Sequence, residues 1–169
     1  MSKITFNSDD MLLLQNYLRE HKKSITSAES CTGGLIASMI TEIPGSSEIF
    51  NGAVVTYSNK IKQQELNVKS KTLKEYGAVS IQVVDEMLEG VIKKFNANYA
   101  IAVSGIAGPN GGTENKPVGT VVIGICDDNM NKNIEIFHFK GSRKEVQIEA
   151  AKCSLLKILK NFEILSKNP

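Results

Sequence analysis

A hydroxyl, a thiol and two glycines lie close together in the segment 27–34, Ser-Ala-Glu-Ser-Cys-Thr-Gly-Gly. Residues 24–28 are predicted to form a short strand, and the apolar run that begins at Leu35 predicts a helix, so Ser30 lies on a strand-to-helix turn. The unpaired N–H groups of a helix start can hold an oxyanion beside a nucleophile. The alternative is that Ser30 is an ordinary helix N-cap, a position that serine often fills.

A serine nucleophile needs a base, and neither histidine is well placed to be one. His21 follows a polar helix end and His138 alternates with apolar residues in a strand, so no Ser-His-Asp triad is predicted. Lysine is the remaining common base, and a partly dry pocket would lower its pKa from about 10.4. Lys60 and Lys62 both follow a predicted buried strand. Their spacing does not show which of the two could be the base, and either could instead lie on a solvated helix face. Cys31 is a competing nucleophile, but without an activating histidine we expect a buried thiol.

A second loop, residues 104–113, contains four glycines within eight residues. Its backbone N–H groups could approach a phosphate or carboxylate because no Cβ blocks them. The loop has neither a Walker motif nor a dinucleotide fingerprint, and a flexible surface loop remains an open alternative. Arg143, at the start of the last predicted helix, either binds an anion or is an ordinary surface arginine. Glu29 and Asp85 are interpreted as helix-end or exposed carboxylates.

Alternating strands and helices must position these loops. Helices are predicted at 9–21, 33–42, 83–95 and 143–164, in a segment through residues 62 and 66, and at 72–76. Strands are predicted at 24–28, 52–57, 99–104, 118–126 and 134–140, the last two as an antiparallel hairpin. This order predicts a single domain, 1–169, with an α/β fold: a three-layer α/β/α sandwich with a mixed, mainly parallel sheet. Loops at the carboxyl ends of strands carry the sites in such sheets.

Composition restricts the classes of function. Twenty basic and eighteen acidic residues give a net charge of +2 without a basic patch, so nucleic acid is not the expected partner. Three cysteines and two histidines show no paired ligand spacing, which predicts neither a metal site nor a disulfide framework. No apolar run reaches the roughly 18 residues of a membrane span, and the N-terminus lacks a targeting core. We therefore expect a soluble, cytoplasmic protein.

Six segments taken together resemble the C-terminal domain family of competence-damage-inducible CinA proteins. They are residues 28–34, 44–47, 55–59, 77–80, 103–109 and 116–120. The resemblance spans about residues 10–164 and is closest to the stand-alone members, the nicotinamide-nucleotide amidohydrolases. It implies that the amino-terminal molybdopterin-binding-like domain of longer members, and the activity of that domain, are absent.

The resemblance implies hydrolysis of the carboxamide of nicotinamide mononucleotide, giving nicotinate mononucleotide and ammonia in pyridine nucleotide salvage. By motif, Ser30 is the nucleophile and Lys62, five residues after Tyr57, is the base, while Tyr57 orients or relays. The oxyanion would be held by N–H groups near Thr32, Gly33 and Gly34. Substrate phosphate and ribose would be held by Ser104, Gly105, Ile106, Ala107, Gly108, Thr113 and Arg143.

The resemblance also implies that no metal or cofactor is required, that the partner is a small-molecule nucleotide, and that the protein is a homodimer or a higher homo-oligomer. Two other functions remain open. One is a nucleotide-binding or sensing module that does not catalyse, and the other is an amidohydrolase that acts on a different amide. Release of ammonia distinguishes the first of these from an enzyme, and a panel of amides distinguishes the second.

Overall fold

Strands and helices alternate along the chain, as the sequence predicts. The computed structural model describes the backbone of residues 4–167 and the side chains of residues 4–162. The strands are β1 (Ile25–Glu29), β2 (Phe50–Val55), β3 (Tyr99–Gly105), β4 (Thr120–Asp127) and β5 (Lys132–His138). The helices are α1 (Ser8–Glu20), α2 (Leu35–Thr41), α3 (Asn59–Leu66), α4 (Ser70–Tyr76), α5 (Ile81–Phe95) and α6 (Arg143–Lys167). A 3-10 turn, Ser46–Glu48, lies between α2 and β2.

The five strands of the described residues form one sheet in the order β2-β1-β3-β4-β5. β1 pairs in parallel with β2 and with β3, whereas β3–β4 and β4–β5 are antiparallel. The mixed sheet and the β4–β5 hairpin are confirmed, with parallel and antiparallel pairings equal in number. The carboxyl ends of the three parallel strands meet at one edge, where the Ser30 turn, the segment after β2 and the glycine loop all begin.

Helices cover both faces of the sheet, and each face has its own apolar core. Along β3, Ile101 and Val103 point into the core beneath α1, α2 and α6. Their neighbours Ala100 and Ala102 point into the other core, which is built mainly from α3, α4 and α5. This alternation follows from the two-residue period of a strand. The predicted three-layer sandwich is confirmed.

The helices that cover the second face have well-defined ends. Ser58 and Ser80 are the N-caps of α3 and α5, and their side chains accept hydrogen bonds from the N–H groups of Ile61 and Val83. Each helix ends at an asparagine in the left-handed conformation, Asn67 in one case and Asn96 in the other. Asparagine tolerates this conformation well. These caps fix the register of α3, and the register decides which lysine of that helix faces the core.

All three cysteines are free and buried. Within residues 4–167, no helix has the length and apolar character needed to span a bilayer. Among the described side chains, no group of three or more His, Cys, Asp or Glu residues lies close enough to hold a metal ion.

Candidate active site

Ser30 lies immediately after β1, at the carboxyl edge of the parallel strands. Its N–H donates to the carbonyl of Val103 at 3.0 Å, which extends the pairing of β1 with β3 by one residue. Its carbonyl accepts from the N–H of Gly33 at 3.0 Å, which closes a tight turn. The residue is 8% exposed, so its hydroxyl lies just beneath the surface.

Lys62 points from α3 toward this hydroxyl. Its Nζ lies 3.0 Å from Ser30 Oγ and donates to the carbonyl of Thr56 at 2.7 Å. Lys62 is on the same helix face as Leu66, one turn later, and only 1% of its surface is exposed. Burial lowers the pKa of the amine from 10.5 to about 8, and the nearby Cys31 has a weaker, opposite effect.

Of the two lysines that spacing left open, Lys62 is therefore the one that reaches the serine. Lys60 is exposed, because a shift of two residues along a helix turns the side chain away from the core. Within the described part of the chain, no carboxylate lies within ion-pair distance of Lys62. Its amine is thus buried against neutral groups, the condition that favours the uncharged form.

Cys31 follows Ser30 and is buried, as expected for a thiol with no activating partner. Burial raises the pKa of this thiol from 9.0 to about 12. Its carbonyl accepts a 2.9 Å hydrogen bond from Gln147 Nε2 on α6, which fixes the turn against that helix. A thiol that stays protonated is a poor nucleophile. Cys31 is therefore a neighbour of the site and not its reactive group.

Ser30 does not cap α2, so the helix-cap alternative is wrong. The N-cap of α2 is Gly34, which has φ of 100° and provides no side chain. The helix therefore begins at residue 35 and not at 33. The acceptor for the first amides of the helix is the side chain of Glu29, which receives N–H bonds from Gly34, Ile36 and Ala37. The hydroxyl of Ser30 remains available to Lys62.

These contacts narrow the predicted oxyanion donors. The N–H of Gly33 is bonded to the carbonyl of Ser30, and that of Gly34 to Glu29 Oε2 at 3.0 Å. Among the hydrogen bonds of the described residues, the N–H of Thr32 has no protein acceptor. Of the three predicted donors, the amide of Thr32 is thus the one left for a bound group.

Sequence reasoning missed two groups that hold the site. Glu29 was interpreted as a helix-end or exposed carboxylate; it is at a helix end, but none of its surface is exposed. The signal was a lone acid at the end of a strand of small and apolar residues, just before a helix start, where acids are favoured. The other group is the carbonyl of Thr56, which holds Lys62. A backbone carbonyl leaves no signal in a sequence.

Tyr57, Arg143 and Gly108 meet beside the pair, although they lie far apart in the chain. The guanidinium of Arg143 donates to the hydroxyl of Tyr57 and, at 2.8 Å, to the carbonyl of Gly108. Tyr57 is 59% exposed, and among the described hydrogen bonds its hydroxyl contacts neither Ser30 nor Lys62. The predicted orienting or relay role of Tyr57 therefore has no direct contact with the pair.

The glycine loop is anchored at both ends, and its tip is exposed. Ser104 is buried and donates to the carbonyl of Ala78 at 2.7 Å, so its hydroxyl is already engaged. Ile106 is bonded through its backbone to Thr120 and Gly119, and Ala107 is buried. Gly105 lies against Cys31, because a Cβ at this position would be 3.0 Å from Sγ. Thr113 is exposed at the tip and bonds only to Lys116 among the described contacts.

Neither of the two histidines is part of the serine–lysine site, as predicted. His21 stacks on Tyr17 at the end of α1, with ring centroids 4.1 Å apart. His138 lies on the edge strand β5, and its Nδ1 is 3.2 Å from Thr120 Oγ1. Neither has a described contact with Ser30. The group that can accept the serine proton is the amine of Lys62.

The geometry combines a serine hydroxyl, an amine of lowered pKa at hydrogen-bond distance, and a free backbone N–H two residues beyond the serine. A neutral amine can take the hydroxyl proton and make Ser30 a nucleophile. The fold and the site thus define an α/β protein with a buried serine–lysine pair at the carboxyl edge of its parallel strands. A serine hydroxyl, a neighbouring amine and a free N–H group are suited to an acyl-transfer reaction.

The sequence of this chain is similar to that of proteins of a known family. Residues 10–162 match the family model of the CinA C-terminal domain, and the chain belongs to the CinA family. A CinA-like protein from Thermotoga neapolitana is 44% identical over 146 residues, which is 86% of this chain and 35% of the relative. A CinA-like protein from Endomicrobium trichonymphae is 52% identical over 130 residues, or 77% of this chain and 30% of the relative. The chain thus spans about a third of the length of these curated relatives.

Solved structures of similar proteins share the whole fold. The competence/damage inducible protein CihA from Agrobacterium tumefaciens has a TM-score of 0.85 and 36% identity, over 96% of this chain and 99% of that one. A CinA superfamily protein from Klebsiella pneumoniae has a TM-score of 0.88 and 29% identity, over 92% of this chain and 96% of that one. The mixed five-stranded sheet is therefore the fold of this family.

Proposed function

We propose that this protein hydrolyses the carboxamide of nicotinamide mononucleotide to nicotinate mononucleotide and ammonia, in pyridine nucleotide salvage. The observation that carries the proposal is the buried pair, with Lys62 Nζ 3.0 Å from Ser30 Oγ and the pKa of the amine lowered by burial to about 8. An amine with a pKa near the working pH is a suitable general base. The resemblance of the six sequence segments to those of nicotinamide-nucleotide amidohydrolases suggests the substrate.

In the proposed first step, the neutral amine of Lys62 takes the proton of Ser30 while Oγ attacks the carboxamide carbon. The carbonyl of Thr56 keeps Nζ in place through the 2.7 Å hydrogen bond. Negative charge develops on the carboxamide oxygen, and the N–H of Thr32 is the donor assigned to it. A donor of this kind contributes roughly 3 kcal/mol in comparable sites.

In the second step, the Lys62 ammonium gives its proton to the leaving nitrogen, the C–N bond breaks and ammonia departs. The substrate is then an ester on Ser30. Lys62, neutral again, takes a proton from water as the water oxygen attacks the ester carbon. Collapse of that intermediate returns the proton to Ser30 Oγ and releases the carboxylic acid, so the enzyme is regenerated.

Arg143 and the glycine loop are the proposed site for the phosphate and ribose. Two of the five guanidinium N–H groups of Arg143 face Gly108 and Tyr57, which leaves others for an anion. Ser104 cannot donate to the substrate without giving up its bond to Ala78. The N–H groups of Ile106 and Thr113 are also engaged, by the carbonyls of Thr120 and Lys116. We therefore assign the phosphate to Arg143 and to the backbone N–H groups of the exposed loop residues 110–112.

The test is release of ammonia from nicotinamide mononucleotide by the purified protein. Ser30→Ala and Lys62→Met are each expected to lower kcat at least about a thousandfold while remaining folded. Lys60→Met is the matched control, because Lys60 is an exposed lysine two residues away. Full activity of Ser30→Ala would refute the proposal, and ligand-dependent thermal stabilisation without ammonia would identify a binding module instead.

The pH profile tests the base itself. We expect kcat/KM to rise with pH and level off above about 8, because only the neutral amine of Lys62 accepts the serine proton and burial lowers its pKa to about 8. The residual rate of Lys62→Met should lack this limb. If the limb is the same in wild type and Lys62→Met, the base is another group.

A further inference from the structure

Glu29 is a buried carboxylate beside the serine–lysine pair. None of its surface is exposed, and no Lys, Arg or His of the described residues lies within ion-pair distance of it. Burial of a carboxylate is unfavourable unless other groups replace the water that it loses. The groups that replace water around Glu29 therefore show what the residue holds in place.

Five hydrogen bonds surround this carboxylate, and in each of them it is the acceptor. Oε2 accepts from Thr32 Oγ1 at 2.6 Å, from the N–H of Gly34 at 3.0 Å and from that of Ile36 at 3.1 Å. Oε1 accepts from the N–H of Ala37 at 2.9 Å and from Ser27 Oγ at 3.3 Å. Both oxygens are satisfied by donors, the pattern that an ionised carboxylate requires.

These donors lie on both sides of Ser30 in the chain. One comes from β1, and the other four come from the turn and the first residues of α2. The carboxylate thus joins the strand that precedes Ser30 to the helix that follows it. The direction of the Ser30 side chain depends on this turn, which has no side-chain cap of its own.

The backbone of Glu29 also reaches the other half of the pair. Its carbonyl accepts from the N–H of Thr56 at 2.7 Å and from Thr56 Oγ1 at 3.4 Å. The carbonyl of Thr56 in turn accepts from Lys62 Nζ at 2.7 Å. One residue therefore holds the turn that carries the serine and the backbone that holds the lysine.

We propose that Glu29 is a positioning residue for the reaction of Ser30, acting through the turn 30–34 and without contact with the substrate. This inference rests on the proposed function, because it assumes that Ser30 is a nucleophile. In this role, the carboxylate keeps Ser30 Oγ 3.0 Å from Lys62 Nζ. Small displacements of reacting groups lower rates by about a hundredfold, which sets the expected size of the effect.

Glu29→Gln tests the proposal with almost no change in volume. Replacing one acceptor oxygen with an NH₂ group leaves at least two of the five donors without an acceptor, whichever way the amide is turned. We expect kcat to fall about a hundredfold with KM within threefold of wild type, because only the geometry of Ser30 changes. The acidic limb of the rate profile should stay at the wild-type position, because the base is still Lys62.

Thr32 provides a second test if Glu29→Gln does not fold. Thr32→Val removes the hydroxyl that donates to Glu29 at 2.6 Å but leaves the carboxylate intact, whereas Thr32→Ser keeps that hydroxyl. We expect Thr32→Val to lower kcat about tenfold, and Thr32→Ser to retain most of it. Equal rates in the two variants would overturn the proposal.

Glu86→Gln is the matched control. The Glu86 carboxylate also accepts bonds at a helix start, from the N–H of Lys69 at 2.7 Å and from Thr72 Oγ1 at 2.8 Å, but it holds α4 and not the serine turn. Its kcat should equal that of wild type. If Glu86→Gln and Glu29→Gln lower kcat equally, the effect is general loosening and the proposal is wrong.

A second readout separates this proposal from the proposed function. A fluorophosphonate probe labels a nucleophilic serine without any need for the natural substrate, so its labelling rate measures the reactivity of Ser30. We expect Glu29→Gln to be labelled at least tenfold more slowly than wild type and Glu86→Gln at the wild-type rate. Equal labelling of wild type and Glu29→Gln overturns the role of Glu29 alone. A labelled wild type that releases no ammonia from nicotinamide mononucleotide overturns only the proposed substrate, and an unlabelled wild type overturns both proposals.

Discussion

The buried amine of Lys62 is costly for the fold. As an ammonium it has lost most of its water, and among the described residues its partners are the carbonyl of Thr56 and the hydroxyl of Ser30. Groups retained at the expense of stability are typical of functional sites. The same burial that lowers the amine's basicity therefore also reduces the free energy of unfolding at neutral pH.

We expect Lys62→Met to be more stable than wild type by about 1–2 kcal/mol at pH 7, since an apolar side chain of similar size removes the desolvation penalty, which outweighs the loss of the bonds to Thr56 and Ser30. Below about pH 8 both the folded and the unfolded chain hold the Lys62 proton, so the penalty is constant there. Between about pH 8 and 10.5 only the unfolded chain holds it, so wild type gains stability relative to the variant as pH rises. Denaturant unfolding of both chains at pH 7 and pH 10 measures the difference.

Lys60→Met is the control for this measurement. Lys60 is exposed, so its replacement should change stability little and by the same amount at both pH values. If Lys62→Met is less stable than wild type at pH 7, its amine is not penalised by burial and the proposed base loses its physical basis.

At the scale of the elements, the sequence predicts nearly all of the fold. The long helices α1, α5 and α6 each have an apolar face, and the inner strands β3 and β4 are short apolar runs, so the period identifies these elements and turn residues mark their ends. The start of α2 was predicted two residues too early, because Gly33 and Gly34 adopt positive φ and extend the turn. Local pattern does not show that a glycine in such a turn will remain outside the helix.

The site was less predictable than the fold, because its groups come from segments that are far apart in the sequence. Spacing could not separate Lys60 from Lys62, because the buried face of α3 depends on how that helix packs on the sheet. The sequence does not predict the burial of Glu29, because that burial depends on amides up to eight residues further along the chain, at a helix start for which a serine cap was an open alternative. The family resemblance indicated Lys62 where the residues alone could not.

The glycine loop and the segment between it and β4 provide a prediction at the scale of an element, because Gly111 and Gly119 share φ of 93° but differ in the space around them. A Cβ on Gly119 would lie 2.0 Å from the carbonyl oxygen of Phe139, whereas on Gly111 the nearest heavy atom is Ile106 Cγ2 at 3.6 Å. Both Gly→Ala variants have the backbone strain of about 1–2 kcal/mol, and Gly119→Ala should lose roughly 2 kcal/mol more. Thermal or denaturant unfolding measures this difference, and equal losses would contradict it.

At the scale of the whole molecule, the site lies where three parallel strands end. Their order brings together segments that are far apart in the chain, and Arg143 at the start of α6 bridges two of them, at Tyr57 and at Gly108. Charge does not dominate the rest of the surface, since the net charge is only +2. A local cation beside the pair is therefore the feature that would attract a phosphorylated substrate.

We expect Arg143→Ala to raise KM for nicotinamide mononucleotide about tenfold with little change in kcat, because a charge-assisted contact to the phosphate is lost and the reacting groups stay in place. KM for the nucleoside that lacks the phosphate should not change. Steady-state kinetics on both substrates, with Lys144→Ala as the control, tests this assignment. An equal rise in KM for both substrates would show that Arg143 shapes the loop and does not bind the phosphate.

The burial of Lys62 has a consequence during synthesis of the chain. In a nascent polypeptide Lys62 is in water and is an ordinary ammonium, with a pKa near 10.5, and Ser30 is an ordinary alcohol. Lys62 and Ser30 are 32 residues apart in the sequence. The amine becomes weakly basic only when α3 packs on the sheet and buries Lys62 beside Ser30. Under the proposed mechanism, a chain that is incomplete, misfolded or partly unfolded thus has no activated serine that could react with the amides and esters around it.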